Sequence, residues 1–158
     1  KDILIPNDKT VITRIEPKSD NDIWLSTDKN ILYRYFNQSI SSYKLDSGLT
    51  YGIVFMDKNN DVFAHFIKYT SGTYNYLYIF KFDNNFWSQI SKDSINEYTD
   101  LHNYIGFSDK YILYSGKNRI HYFDGMKWDN YINTAAIFPI LNAGGSSKNN
   151  IILFCPCT

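Results

Sequence analysis

The sequence predicts an all-β protein built from repeated four-stranded antiparallel sheets. Short aliphatic or aromatic runs alternate with turns rich in Gly, Asn, Asp, Ser and Lys, and no run has the apolar spacing of a helix. Aromatic residues make up 18% of the 158 residues, a composition that favours strands. Two different phrases of the sequence also recur at intervals of about forty residues, which indicates a repeat architecture.

The first repeated phrase is a hairpin. "RIHYFDGMKW" and "YIFKFDNNFW" both carry a Trp four residues after an Asp: Trp128 follows Asp124, and Trp87 follows Asp83. Asp-Gly between two strand-like runs predicts a tight turn in which both central residues have positive φ. The two aspartates are 41 residues apart, and a degenerate first copy, "YRYFNQSISSY", places Asn37 at the position of the Asp.

The second repeated phrase is a polar turn that leads into an aliphatic strand. It occurs as "SDNDIWL", "KNNDVFA", "SDKYILY" and "SKNNIIL", in which Ile23, Val62, Ile112 and Ile151 are equivalent. These residues recur at intervals of 39, 50 and 39, the longer step being explained by insertions such as "EYTDLHN". Two independent markers therefore agree on one repeat length.

Each repeat contains four strand-like runs, which is the pattern of a β-propeller blade. Such a sheet buries both faces only by stacking on its neighbours, so the hairpin Trp is expected to pack between adjacent sheets. The innermost strands are expected at "VITRIE", "YGIVFM", "YIGF" and "AAIFPIL". We predict a partial or small propeller of three and a half to four blades in a single domain, with blades near 10–46, 50–92 and 103–133 and an incomplete one at 135–158.

The incomplete fourth blade raises the question of ring closure. Propellers often close by letting the N-terminal strand complete the last blade, and "DILIP" at residues 2–6 would give a four-bladed ring in this way. Alternatively, two copies of three and a half blades would form a seven-bladed homodimer, or the chain is a fragment of a larger assembly. Unpaired edges favour association, so we expect one of these closures.

The segment "ITRIEPKSDNDIWLSTDKNILYRYFN" (residues 12–37) resembles the repeats of bacterial two-component-regulator propellers. "YFDGMKW" and "SSKNNIILF" resemble repeats in secreted and lipoprotein propellers of Bacteroidetes-like bacteria. The resemblance covers about residues 10–154, and it departs from the pattern where Asn21-Asp22 and Asn60-Asp61 replace the usual Gly. It implies the propeller fold and a binding or sensory role outside the cytoplasm, and its motifs carry no catalytic residues.

Charge and composition exclude several functions. The 16 basic and 16 acidic residues balance, which argues against binding to nucleic acid or to an anionic membrane. The longest apolar run, "AAIFPIL", is too short to span a bilayer. Cys155 and Cys157 do not form a disulfide framework, and His65, His102 and His121 are too scattered for a metal site. We therefore predict no cofactor and no metal, and we interpret the glycine-rich "NAGGSSKNN" as an inter-strand loop.

The predicted function is a non-catalytic binding or assembly module that recognises a protein or a carbohydrate. The alternatives are a sialidase- or lyase-like propeller enzyme, in which three arginines clamp a carboxylate, and an aromatic-repeat cell-wall sugar-binding protein, whose repeats are half as long. Propeller ligands bind at the mouth of the central channel and on nearby loops. The candidate ligand-binding residues are therefore polar groups near the channel, the remaining arginines and two tyrosines of a long loop: Arg14, Glu16, Arg34, Arg119, Tyr74 and Tyr76.

Overall fold

A computed structural model describes residues 10–46, 48–57, 59–71 and 75–95, together with six strands between residues 103 and 154. These residues form fourteen β-strands: β1 (Ile12–Ser19), β2 (Asp22–Thr27), β3 (Ile31–Phe36), β4 (Ser39–Lys44), β5 (Thr50–Met56), β6 (Val62–Lys68), β7 (Asn75–Asp83), β8 (Phe86–Ile95), β9 (Asn103–Ser108), β10 (Tyr111–Gly116), β11 (Arg119–Phe123), β12 (Trp128–Asn133), β13 (Asn142–Ser147) and β14 (Asn150–Phe154).

The strands form three four-stranded sheets and one two-stranded sheet. Strands β1 to β4, β5 to β8 and β9 to β12 each pair in chain order, and β13 pairs with β14. This is the predicted blade pattern, and the all-β, propeller-type fold class is confirmed. In the described part of the chain, no helical segment combines the length and apolar character needed to cross a bilayer.

The chain divides into two compact units. The first comprises residues 1–54 and 62–96 and contains the first sheet and most of the second. The second comprises residues 55–61 and 97–158 and contains the third sheet and the β13–β14 pair.

Strand boundaries follow the sequence prediction closely, with β8 as the main difference. The strand-like run in the sequence, "FWSQI", ends at Ile90, whereas the structure continues the strand to Ile95 with a register irregularity between Ile79 and Phe80 of β7. The added residues are mostly polar, which is why the sequence pattern missed them. Because β8 is the edge of its sheet, its outward positions tolerate polar side chains.

Two described hairpin turns contain the predicted pair of residues with positive φ, in the second sheet one residue later than at Asp83-Asn84, and the Asp124-Gly125 turn lies outside the described residues. Asn84 and Asn85 have φ angles of 48° and 67°, and Asn37 and Gln38 have φ angles of 47° and 68°. Two consecutive left-handed residues define the tight turn that matches the twist of the flanking strands. Asn37 therefore occupies the place of Asn84, and its alignment with Asp83 from the sequence was wrong by one residue.

The glycine-rich segment at the C-terminal end corrects a second prediction. "NAGGSS", interpreted as a loop, is strand β13 and pairs antiparallel with β14. Ladder hydrogen bonds use backbone groups only, so glycines can join a strand even though they lack β-propensity. The predicted strand "AAIFPIL" and the closing segment "DILIP" lie outside the described residues. The four-bladed ring and the homodimer therefore stay predictions.

The core of the first unit lies between its two sheets. Trp24 on β2 is fully buried and contacts Tyr43 of its own sheet, with ring centroids 5.6 Å apart. Its ring also meets Phe82 and Trp87 of the second sheet edge-on, at 4.7 and 5.4 Å. Edge-to-face pairs at these distances stabilise a core beyond simple area burial. The prediction that the hairpin Trp packs between neighbouring sheets is confirmed for Trp87.

Candidate functional site

Two of the sequence-predicted site residues, Arg14 and Glu16, form a pair on β1. The side chains alternate along the strand, so that Arg14 and Glu16 are 29% and 18% exposed while Ile15 between them is 59% exposed. The Arg14 guanidinium donates a hydrogen bond to Oε1 of Glu16. The pair thus neutralises itself on one face of an edge strand, and its role in ligand binding stays a prediction.

Arg34 on β3 is held within the core of the first unit. Its Nε and Nη2 donate to Oδ1 and Oδ2 of Asp22, both at 2.8 Å, which is the bidentate geometry of a strong ion pair. The guanidinium carbon lies 4.3 Å from the ring centroid of Phe36, and 5.2 and 5.4 Å from those of Trp24 and Phe82. The hydrogen bonds to Asp22 raise the pKa of Arg34 above its usual value. Arg34 is therefore a permanently charged part of the core.

The remaining predicted residues are placed apart from one another. Tyr76 lies within β7, where the Lys92 ammonium is 4.5 Å from its ring centroid, and Tyr74 lies outside the described residues. Arg119 opens β11 in the other unit, and its side chain is outside the described part of the chain. Among the described side chains, only Arg14 and Glu16 of the six predicted residues contact each other.

The two described arginines do not form the carboxylate clamp of a sialidase-like enzyme. Arg14 binds Glu16 of its own strand, and Arg34 binds Asp22 of the neighbouring strand. Each cation is already satisfied by a carboxylate of the protein. Within the described residues, these arginines therefore leave no shared cationic surface for an anionic sugar.

His65 is a fully buried histidine in β6. It lies between Phe63 and Ile67 on one face of the strand, and both neighbours are buried. Burial, with a smaller contribution from the charge of Arg14, lowers the pKa of His65 well below 6.5. Among the described residues no group of three or more His, Cys, Asp or Glu side chains could hold a metal ion. The structure therefore places His65 as a neutral core residue.

A buried neutral histidine makes stability depend on pH. The unfolded chain binds a proton at this residue below pH 6.5 and the folded chain does not, so stability is lost as the pH falls. Between pH 7.5 and 5.5, we expect the wild type to lose about 1.4 kcal/mol more than the variant His65→Leu. Urea unfolding at both pH values measures the loss of unfolding free energy in each protein. The loss in His65→Leu gives the contribution of all titratable groups other than His65. Equal losses in the two proteins would contradict the assignment.

A pocket of about 390 Å³ opens in the first unit. It is formed where β1 begins, where β2 turns into β3, and where β5 begins. Its lining combines three threonines, one carboxylate and one carboxamide with a glycine and an aliphatic residue: Thr13, Thr27, Asp28, Asn30, Thr50, Gly52 and Ile53. None of these residues was predicted as a site residue.

The β2–β3 turn that forms one side of the pocket is fixed by local hydrogen bonds. Thr27 Oγ1 donates to the carbonyl of Ile31 at 2.7 Å and accepts from its N–H at 3.3 Å. Asn30 has a φ of 59°, a left-handed conformation that Asn tolerates better than most residues. Asp28 accepts the N–H of Val11 at 3.0 Å, which ties the turn to the start of β1. The side chains of Thr27 and Asp28 are therefore held in place before any ligand arrives.

Strand β5 forms the opposite side, and Gly52 leaves room for the ring of Phe66 on β6 of the same sheet. A Cβ at this position would lie 2.3 Å from the ring of Phe66, which is itself fully buried. Any larger residue would have to displace that ring, so only glycine fits without strain. Thr50 Oγ1 donates a hydrogen bond to the carbonyl of Ile67 at 2.9 Å, and this bond holds the start of β5 to β6.

The pocket presents polar groups with unused hydrogen-bonding capacity. The side chains of Thr13 and Asn30 make no hydrogen bond with the described residues, and the carboxylate of Asp28 retains acceptor capacity beyond its bond from Val11. That backbone hydrogen bond, helped by Lys29, lowers the pKa of Asp28, so this carboxyl group is ionised at neutral pH. These groups can bind a polar ligand through hydrogen bonds.

Sequence reasoning missed this pocket because its residues come from three separate segments. "TDKN" at residues 27–30 reads as an ordinary turn, and Thr13, Thr50 and Gly52 lie within strand patterns. No spacing rule connects residues that meet only when two sheets stack. The local signal in the sequence is Asn30, because asparagine tolerates a positive φ. This signal indicates a turn and does not indicate a binding site.

Comparison with known proteins gives little further information. No family profile and no curated protein matches the chain. Among solved structures, the chain is similar to YCF48 from Cyanidioschyzon merolae, with 10% sequence identity and a TM-score of 0.43. The likeness covers 97% of this chain and 69% of that one. It is too distant to identify a function, and the fold class rests on the four-stranded sheets themselves.

Proposed function

We propose that the chain is a non-catalytic binding module of the propeller type, which holds a small polar ligand in the pocket between its first two sheets. The observation that carries this proposal is the unused hydrogen-bonding capacity of Thr13, Asp28 and Asn30, which all line the pocket. Its volume lies in the lower part of the range found for small-molecule sites, roughly 300–1,000 Å³. The groups are held by strands and by a hydrogen-bonded turn, so binding requires little ordering of the protein.

A binding role fits the pocket better than catalysis does. General acid–base chemistry needs a proton donor and an acceptor whose pKa values suit the reaction. Among the described residues of the lining, Asp28 is the only ionisable one, and its lowered pKa makes it a poor proton donor at neutral pH. The described lining places no histidine or lysine beside the threonines to activate a hydroxyl group. These residues are therefore suited to orienting a ligand through hydrogen bonds.

The test is a ligand screen observed by NMR spectroscopy with 15N-labelled protein. We expect pooled neutral, cationic and anionic small molecules to include at least one that shifts the amide signals of residues 27–30 and 50–53 saturably. Mass spectrometry of the recovered molecule should show no chemical change. The variant Thr13→Phe, which fills the pocket mouth from an exposed strand position, should abolish these shifts.

The matched control is Lys18→Phe, which adds the same ring to an exposed position of β1 away from the pocket. This variant should bind as the wild type does. Binding that survives Thr13→Phe would place the site elsewhere on the molecule. Conversion of the bound molecule would show that the chain is an enzyme. Either result would overturn the proposal.

A further inference from the structure

We infer that the pocket selects a neutral polyol, such as a monosaccharide or a cyclitol, through adjacent hydroxyl groups bound by Asp28 and Asn30. This inference rests on the proposed function, because it names the chemical class of the ligand for the same pocket. The two residues lie in one turn, separated by Lys29, and both line the pocket. Thr13 on β1 supplies a third polar group on the neighbouring side.

The charges around the pocket disfavour an anionic ligand. Asp28 is ionised, and none of the described residues that line the pocket is a lysine, an arginine or a histidine. The adjacent Lys29, whose ammonium lies 3.3 Å from the Asp28 carboxylate, is 54% exposed and is not among the lining residues. A phosphate or carboxylate ligand would therefore meet a carboxylate whose partial neutralisation comes from outside the pocket, and it would find no cation in the described lining to bind it.

The donor and acceptor pattern matches a pair of hydroxyl groups. An ionised carboxylate only accepts hydrogen bonds, so Asp28 needs a ligand that donates. The carboxamide of Asn30 donates two hydrogen bonds and accepts through its oxygen, and the hydroxyl of Thr13 does both. A hydroxyl group both donates and accepts, so neighbouring hydroxyls can donate to Asp28 while they accept from Asn30. A ligand with a single polar group would leave part of this set unpaired, at a cost.

Apolar atoms make up most of the surface that lines the pocket, and this surface suits the carbon skeleton of a compact ring. Gly52 presents backbone without a side chain, and Ile53 offers one aliphatic surface to the carbon skeleton of a ring. None of the described side chains in the lining is an aromatic ring on which a long glycan could stack. We therefore expect a single ring to bind by its hydroxyl edge, with a dissociation constant on the order of 1 mM, as is typical of a few hydrogen bonds in a partly open site.

The test is an NMR titration of the labelled full chain with D-glucose, D-galactose, D-mannose and myo-inositol. Cyclohexanol, tetramethylammonium, calcium chloride and inorganic phosphate represent the competing chemical classes. We expect at least one polyol to shift the signals of residues 27–30 and 50–53 saturably, and none of the four comparators to do so. The variants Asp28→Asn and Asn30→Gly should weaken that binding at least tenfold.

The variants are chosen to preserve the turn. Asparagine at residue 28 keeps the size of the side chain, and glycine at residue 30 adopts positive φ without strain while removing the carboxamide. Asp20→Asn, which removes a carboxylate from an exposed residue outside the pocket, is the control and should bind as the wild type does. Dispersed amide signals confirm that each variant is folded before it is titrated.

The outcomes separate this inference from the proposed function. Saturable binding of a comparator in the pocket, with no polyol binding, would overturn the inference and leave the binding role intact. Binding of a polyol with unchanged affinity in both Asp28→Asn and Asn30→Gly would overturn the assignment of the two residues. No saturable shift with any of the eight probes would overturn the inference, while the broader screen would decide whether another ligand occupies the pocket.

Discussion

Replacing Trp24 by alanine is expected to lower the free energy of unfolding by about 3–5 kcal/mol. Trp24 is fully buried and touches both sheets of the first unit, with Phe82 and Trp87 edge-on to its ring. Truncation removes these contacts and leaves a cavity that two rigid sheets cannot close. Because the indole bridges the sheets, the loss should weaken their docking in addition to β2 itself.

Urea unfolding followed by circular dichroism measures this effect. The matched control is Phe86→Ala, because Phe86 is an aromatic residue of the same unit that is 56% exposed at the edge of the second sheet. Its removal should cost about 0.5 kcal/mol or less, as for most surface substitutions. If both variants lost the same stability, the contact between the two sheets around Trp24 would not be the core of this unit.

A second variant, Trp24→Phe, refines the interpretation. The buried Nε1–H of Trp24 has no hydrogen-bond partner among the described residues, and an unsatisfied buried donor is unfavourable. Phenylalanine keeps an aromatic ring between Tyr43 and Phe82 and removes this donor. We expect Trp24→Phe to lose less than half of what Trp24→Ala loses, which would show that ring packing accounts for most of the stabilisation.

The strands and their pairing could be predicted from the sequence because the signals are local. The Asp83–Trp87 hairpin required only a turn of two residues with positive φ between apolar runs, and the structure has that turn at Asn84 and Asn85. The repeat length then indicated that the same hairpin recurs from blade to blade. The packing of Trp87 between sheets followed from the need to bury both faces of a four-stranded sheet.

The contacts between side chains could not be predicted, since they depend on register and on how the sheets stack. Arg34 was predicted as a ligand-binding residue because it is one of three arginines that could together clamp a carboxylate. The register pairs Arg34 with Trp24 and Asp22 with Phe36, so that Asp22 and Arg34 are diagonal neighbours on one face. Nothing in the interval of twelve residues between them marks this ion pair. The pocket could not be predicted either, because its residues come together only through strand register and sheet stacking.

Breaking the ion pair from either side is the second large effect that we expect. Asp22→Ala leaves the charge of Arg34 among aromatic rings, and Arg34→Met leaves the carboxylate of Asp22, which is 8% exposed, without its partner. Each single variant should lose on the order of 3 kcal/mol of unfolding free energy, because an unpaired buried charge keeps its desolvation cost. Arg34→Lys should recover only part of this loss, since an ammonium group cannot form the bidentate bonds.

The double variant Asp22→Ala/Arg34→Met distinguishes a buried pair from a surface pair. With both charges removed, methionine can pack on Trp24 and Phe36, and the double variant should be more stable than either single variant. A surface-like pair would instead give single losses of less than about 1 kcal/mol that simply add. Denaturant unfolding of the wild type, the two single variants and the double variant completes the cycle.

Folded Arg34→Met should also bind polyols as the wild type does, because Arg34 does not line the pocket. Weakened polyol binding in that variant would show that Arg34 takes part in ligand binding, and it would contradict the assignment of Arg34 to the core.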